Sequence, residues 1–361
     1  MNILFITFQG DIAGSTNSIS YLAKGLAERG HNVYLGARKE SLLFELLAST
    51  DVNLLPMTFK SRFDRVNMRQ IRDVVRQYNI QIINAQSSLD RYTTIFAKWK
   101  YRLNVKIVHT RRQISNSVGG FFQSWIYQKG TAGIVAVSEG VKRSLIDNGI
   151  KDKHITVIRN GTPADKYKAV NDDVQKSLIK KYQIKQGDTV IGCVSRKKNQ
   201  IQILQALALF DEPVTAIFLG IEKQPEYDEI IANYKVSHRL YFEGILDGDE
   251  VLNHYPLFSA HVLASTMEGL SQSLLEAMYL RAPVIATAAA GNLDLVQDGE
   301  NGLLFEDGDI QGLKMCLKRL INDQDLKKRL TDQAFKTASE EYSIHRTVVN
   351  YENYFNQLIA P

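Results

Sequence analysis

Along the first 160 residues, short apolar runs rich in β-branched residues alternate with stretches of helical periodicity. The runs at 3–7, 32–35, 53–57, 80–85, 105–110, 134–137 and 155–158 predict strands, and their near-continuous apolar character predicts a sheet covered on both faces. Between the first two runs, Ile19, Leu22, Ala23 and Leu26 form one stripe of a helix at 18–29. Gly30 then stands where a helix C-cap belongs. The pattern restarts with strands predicted at 189–194, 214–219, 239–242, 260–264 and 283–287. Between the two sets, residues 161–188 hold Gly161, Pro163 and one charged helical stretch without a strand signal. The pattern therefore predicts an α/β chain of two doubly wound domains, 1–164 and 165–342, facing a cleft at the carboxyl ends of both sheets. A last helix at 343–359 carries Tyr351, Tyr354 and Phe355, and is expected to pack back on the first domain.

A length of 361 residues fits two domains, and 44% hydrophobic with 23% charged residues is the balance of a globular chain. Cys193 and Cys316 fall in a strand and a helix, so buried thiols and a reducing, cytoplasmic compartment are expected. The N-terminus lacks a basic leader, and Asp11 interrupts any signal-peptide core, so it reads as a buried strand. The net charge of +5 conceals an asymmetry: residues 1–160 hold 23 Lys+Arg against 11 Asp+Glu, and the remainder is acidic. A basic first half suits an acidic acceptor or the anionic cytoplasmic face of a membrane, or is merely a solvated basic face.

The segment Ser265-Thr266-Met267-Glu268-Gly269-Leu270-Ser271-Gln272-Ser273-Leu274-Leu275-Glu276-Ala277-Met278 carries the chemistry. It follows a predicted strand, Ser271 is suited to N-cap a helix, and the N–H groups of Gln272 and Ser273 would form an anion site. Leu274 and Met278 share a helix face, and Glu276 lies opposite it. On spacing, Glu268 and Glu276 either grip two parts of one extended ligand or are surface charges.

EGLSQSLLEAM, with RAPVIAT, AAGNLDLV and DGENGLLF after it, resembles the signature of family 4 retaining glycosyltransferases. AGSTNSISYLAKGLAERGHNV resembles that family's first loop and helix, and AVSEGVKRSLIDNGI with ITVIRNGTP its inter-domain approach. The resemblance runs in order through nearly the whole chain and implies a GT-B fold of two Rossmann-like domains. It implies a sugar moved from a nucleotide-diphosphate donor, without a cofactor or metal, to a saccharide or lipid-linked acceptor. Glu276 would hold the ribose hydroxyls, and Glu268 would orient the transferred sugar. Leu270, Ser271 and Gln272 would line sugar and phosphates, with Gly14 close to the phosphates. His109 matches the histidine after the middle strand, near the attacked centre; a hydrogen-bonded structural residue is the other reading. The family's Arg and Lys for the leaving diphosphate fall on Ser195-Arg196-Lys197-Lys198-Asn199-Gln200. Arg196 matches, and in this shortened loop Lys198 is preferred with Lys197 left open. Thr162-Pro163 replaces the acidic residue that commonly follows Asn160-Gly161.

UDP is the preferred donor nucleotide, and bacterial lipopolysaccharide or capsule synthesis the preferred setting. The alternatives are a nucleotide-sugar-binding module without turnover, or another GT-B enzyme such as an epimerase. Arg111 and Arg112 are weaker acceptor-binding choices. The aromatic-basic run Lys98-Trp99-Lys100-Tyr101-Arg102 sits in no nucleic-acid module, so no nucleic-acid partner is expected. Phe121, Phe122, Trp125, Ile126 and Tyr127 predict either a membrane-touching stripe or a buried helix face. In Asp247-Gly248-Asp249, Asp249 reads as an N-cap rather than a metal ligand.

Overall fold

The structure, a computed structural model, describes residues 1–11, 14–114, 121–289 and 291–360, with the backbone alone at 121. Ala13 of the first-loop motif, Ala290 of AAGNLDLV and the side chain of Phe121 therefore lie outside the described residues. The chain divides into two compact units: Met1–Pro163 with the segment from Ser343 onward, and Ala164–Tyr342.

The first unit is built on seven strands, β1 (Asn2–Ile6), β2 (Asn32–Ala37), β3 (Asn53–Pro56), β4 (Ile82–Ala85), β5 (Lys106–Arg111), β6 (Gly133–Ala136) and β7 (Ile155–Val157). Their order is β3-β2-β1-β4-β5-β6-β7, and every pairing is parallel. Ile3, Leu4, Phe5 and Ile6 are all fully buried. A parallel sheet with helices on both faces has no wet side, which is why β1 shows no polar alternation. The helix Gly14–Glu28 begins four residues earlier than the apolar stripe alone predicts. Its first turn is closed by polar bonds, Ser18 Oγ to the Gly14 carbonyl and Thr16 Oγ1 to the Asp11 carbonyl. Gly30 ends it with a positive φ of 82°.

The last helix, Ile344–Ile359, is N-capped by Ser343 and buries Tyr351 and Phe355 completely. Thr347 Oγ1 accepts from the Gly161 amide at 2.7 Å, and the Ile344 amide donates to the Thr162 carbonyl. The returning chain is thus fastened beside the point where it left, and Tyr351 Oη reaches Thr110 Oγ1 on β5 at 3.1 Å.

The second unit holds β8 (Thr189–Val194), β9 (Val214–Leu219), β10 (Arg239–Phe242), β11 (Ala260–Leu263), β12 (Val284–Thr287) and β13 (Leu303–Phe305), ordered β10-β9-β8-β11-β12-β13 and all parallel. Counted from its own first strand, this repeats the order of the first six strands of the first sheet. Strand β13 was not anticipated, since three residues between turns carry too short a pattern to read. Both faces are packed, one by Ile203, Leu207, Leu313 and Leu317, the other by Leu274, Met278, Leu252 and Leu295.

Both cysteines are buried free thiols, and burial pushes Cys193 up to about 12 and Cys316 up to about 11. No helix is long and apolar enough to cross a membrane among the described residues.

Candidate functional site

In open parallel sheets ligands bind outside the carboxyl ends of the strands, where the strand order reverses. In the second unit that point lies between β8 and β11, and the loops there carry the residues that the sequence singled out.

The β8 loop, Ser195 to Asn199, is held by Gln200 at the start of the helix Gln200–Leu207. Gln200 Nε2 donates to Ser195 Oγ at 2.9 Å and to the Arg196 carbonyl at 2.8 Å, while its Oε1 accepts from the Lys198 amide at 2.7 Å. The Asn199 amide donates to the Ala264 carbonyl, tying this loop to the end of β11. Gly220 lies against it: a Cβ there would sit 3.0 Å from the Ser195 carbonyl oxygen, and its φ of +85° is one that side chains avoid.

The two lysines left open by sequence diverge. Lys198 Nζ lies 3.2 Å from Glu268 Oε1, whereas Lys197 Nζ pairs with the exposed Glu226 at 2.8 Å. Arg196 is exposed on the same loop.

Glu268 also accepts from Ser265 Oγ at 2.8 Å, and its backbone carbonyl accepts from the Gly291 amide at 3.0 Å. Gly291 permits that approach because a Cβ there would stand 2.6 Å from the Glu268 carbonyl oxygen and 2.3 Å from that of Gly269. The helix Gln272–Tyr279 follows, with Ser271 as its N-cap accepting from the Leu274 amide at 3.3 Å. The amides of Gln272 and Ser273 have no partner among the described residues, as expected for a first turn. Leu274, Leu275, Ala277 and Met278 are buried, Glu276 is half-buried on the opposite side, and Leu270 is half-buried before the cap.

Glu276 has partners that the sequence reading missed. Lys166 Nζ donates to Oε1 at 2.5 Å, and Tyr255 Oη donates to Oε2 at 2.9 Å. Burial, and then the charge of Glu276, holds the Tyr255 phenol far above its usual range, so it serves as a donor. Lys166 belongs to a short 3-10 turn, Ala164–Ala169, whose Tyr167 stacks on Tyr279 with ring centroids 3.7 Å apart. No periodicity marks Lys166 in the sequence, and only the fold brings it to Glu276.

The triplet before residue 250 is corrected: Asp247, not Asp249, occupies the N-cap position of the helix Gly248–Leu252, and Asp249 lies in its first turn. The helix starts two residues earlier than a cap at Asp249 would have it.

In the first unit, Gly14 is exposed at the start of its helix. His109 lies inside β5 and not after it, because the strand continues to Arg111. It is fully buried, packs edge-on to Tyr127 at 5.1 Å, and neither ring nitrogen has a well-formed hydrogen bond. Burial, reinforced by Arg91 and Arg111, holds its pKa well below the ordinary 6.5, so the ring is neutral at physiological pH. Arg111 and Arg112 stand at the carboxyl end of β5, both half-buried. The aromatic stripe divides: Ile126 and Tyr127 are buried, and Phe122 and Trp125 are 71% and 44% exposed.

Two Rossmann-like units, each on a parallel sheet, are the elements of the GT-B fold class. The chain matches the family described as Glycosyltransferase Family 4 over residues 12–166 and that described as Glycosyl transferases group 1 over 174–337. The chain belongs to the family 4 glycosyltransferases. It is 24% identical to N-acetyl-alpha-D-glucosaminyl L-malate synthase of Bacillus anthracis, over 98% of this chain and 96% of that one. It is 25% identical to the lipopolysaccharide core biosynthesis glycosyltransferase LpsE of Rhizobium meliloti, over 60% of this chain and 62% of that one. The crystal structure of Anabaena HepE in complex with UDP superposes with a TM-score of 0.82, at 20% identity, covering 99% of this chain and 100% of that one.

Proposed function

We propose that the chain is a retaining glycosyltransferase that moves a sugar from a UDP-sugar to a saccharide or glycolipid acceptor, without a catalytic metal, in the synthesis of a bacterial surface glycan such as lipopolysaccharide or capsule. The observation that carries this reading is Lys198 beside Glu268, next to the unpartnered amides of Gln272 and Ser273. The UDP in HepE and the lipopolysaccharide role in the name of LpsE support the donor and the setting.

In this reading the donor diphosphate rests on the N-terminus of the helix Gln272–Tyr279. Glu276, oriented by Lys166 and Tyr255, accepts the ribose hydroxyls. Glu268 accepts hydroxyls of the sugar, and Leu270 and Ser271 line it. The bond from the anomeric carbon to the β-phosphate oxygen breaks, and its electron pair leaves with the nucleotide. Arg196, Lys198 and the two amides meet that growing charge, each fixed donor lowering the barrier by about 3 kcal/mol. The acceptor oxygen then bonds to the anomeric carbon on the face just vacated, and its proton passes to the departing phosphate. Fully buried His109 offers the sugar no surface and takes no direct part in the step.

The test is incubation of the purified protein with UDP-, GDP- and ADP-sugars. Slow hydrolysis of a UDP-sugar without acceptor, accelerated by a glycan acceptor, is expected. A folded protein that neither binds nor turns over any of them would overturn the reading.

A further inference from the structure

Five aromatic rings of the first unit form one chain of contacts across its outer helices. Phe63, in the loop before the helix Arg65–Gln77, stacks on Phe96 of the helix Ser88–Tyr101 with ring centroids 4.8 Å apart. Phe96 meets Trp99 edge-on at 6.0 Å, and Trp99 meets Trp125 of the helix Phe121–Gly130 at 6.2 Å. Phe122 then stacks on Trp125, also at 6.2 Å. A spacing of three residues sets Phe96 beside Trp99 and Phe122 beside Trp125 on their helices. Four of the five rings are exposed, Trp99 at 39% the least and Phe122 at 71% the most. Contiguous exposed aromatics of this kind mark a surface that meets a partner.

The segments that carry the rings are strongly basic. Residues 60–69, 96–102 and 121–130 hold eight Lys+Arg and a single acid, Asp64. Asp64 is buried and faces inward, its carboxylate accepting from the Lys60, Val66 and Asn67 amides. Arg62, Lys100 and Lys129 are exposed, and the Arg62 guanidinium lies 5.0 Å over the ring of Tyr92, one helical turn before Phe96.

This combination selects the occupant. A twofold contact with a second copy would set the basic segments against themselves. Nucleic-acid bases stack on open ring faces, whereas Phe63 and Phe96, like Phe122 and Trp125, turn their faces to one another. Trp and Phe side chains seated among lipid headgroups need no open face, and anionic headgroups attract the surrounding lysines and arginines.

We propose that the chain of rings from Phe63 to Phe122, with its basic surroundings, is a docking surface for an anionic lipid bilayer. The rings enter the headgroup region, and the Lys and Arg side chains hold lipid phosphates. This deepens the glycolipid branch of the proposed function and rests on it only for the acceptor, which the enzyme would meet on the membrane itself.

Trp99 and Trp125 are the chain's two tryptophans, so its tryptophan fluorescence reports on this surface alone. The probes are vesicles of phosphatidylcholine, and vesicles of phosphatidylcholine and phosphatidylglycerol in equal parts, added to the full chain. Blue-shifted emission and co-sedimentation are expected with the mixed vesicles, far less with phosphatidylcholine alone, and high salt should release the protein. Phe122→Ser should weaken partition about tenfold, and Phe63→Ser, at the other end of the chain of rings, should do the same. Lys100→Gln and Lys129→Gln should each weaken it about fivefold. No blue shift and no co-sedimentation, or equal binding to both vesicles that is indifferent to Phe63 and Phe122, would overturn the proposal. Capture of a single-stranded oligonucleotide, or a dimer dispersed by Phe122→Ser, without vesicle binding would overturn it as well. UDP-sugar hydrolysis in solution should be the same in Phe122→Ser as in the native chain. Vesicle binding by a protein that turns over no nucleotide sugar would keep the surface and remove the transferase reading, and turnover without vesicle binding would do the reverse.

Discussion

Lys198 Nζ stands 3.2 Å from Glu268 Oε1, joining the loop after β8 to the loop after β11 across the switch point of the second sheet. Both side chains are partly exposed, so the pair adds little to stability and its worth is positional. It parks a cation where the proposed leaving group emerges.

Lys198→Ala should therefore lower kcat about a hundredfold, with KM for the donor changed far less, because the charge acts as the bond breaks. Lys197→Ala should change either constant less than twofold, since Lys197 faces Glu226 on the exposed side. Equal effects of the two variants would show that the leaving group is met elsewhere. Arg196→Ala should behave as Lys198→Ala does, and activity should persist in excess chelator.

Glu276 should behave differently. Its carboxylate is held by Lys166 and Tyr255, and the free lone pairs are what the ribose would use. Glu276→Gln should weaken UDP binding about thirtyfold, with little change in kcat at saturating donor. A Lys166→Met variant should weaken UDP binding less, through loss of orientation. Calorimetry with UDP measures both. A variant pair that binds UDP normally would place the ribose away from this helix.

The opposition of Glu276 to Leu274 and Met278 was legible because helical geometry fixes it from spacing alone. Most strands were legible for a similar reason, being buried on both faces. What eluded the sequence depends on contacts between distant segments. Lys166 reaches Glu276 across 110 positions, and Arg112 reaches Gln86 across 26. Asp247 took the cap expected of Asp249 because two aspartates flank one glycine, and their spacing alone does not choose between them.

Gly291 is a test of how tightly the Glu268 loop is framed. A methyl group at 291 would press on the backbone carbonyl oxygens of Glu268 and Gly269. Gly291→Ala should destabilise the protein by about 1–3 kcal/mol and displace Glu268. Thermal melts and donor kinetics read the two effects separately. A fully stable and active variant would mean that the backbone at Gly291 gives way to the added methyl group.

Acid should weaken the fold through its buried histidines. Burial lowers the pKa of His109, His154, His254 and His261, the last to about 3. In the unfolded chain each takes up a proton near 6.5, so below that pH the unfolded state binds more protons than the native one. Their contribution to stability is therefore present above about 6.5 and is lost as pH falls toward the depressed native values. Asp90 works in the opposite sense: burial raises it to about 6, so it favours the native state below about 4 and loses that effect as pH rises to 6. Four groups against one give a Tm that falls between pH 7.5 and 5. His261 packs against Tyr255 and Phe258 with neither nitrogen well bonded, so phenylalanine fits its place. His261→Phe should keep or raise the Tm at pH 7.5 and make its fall toward pH 5 shallower. An unchanged slope would show that His261 titrates alike in both states and that the acid sensitivity arises elsewhere.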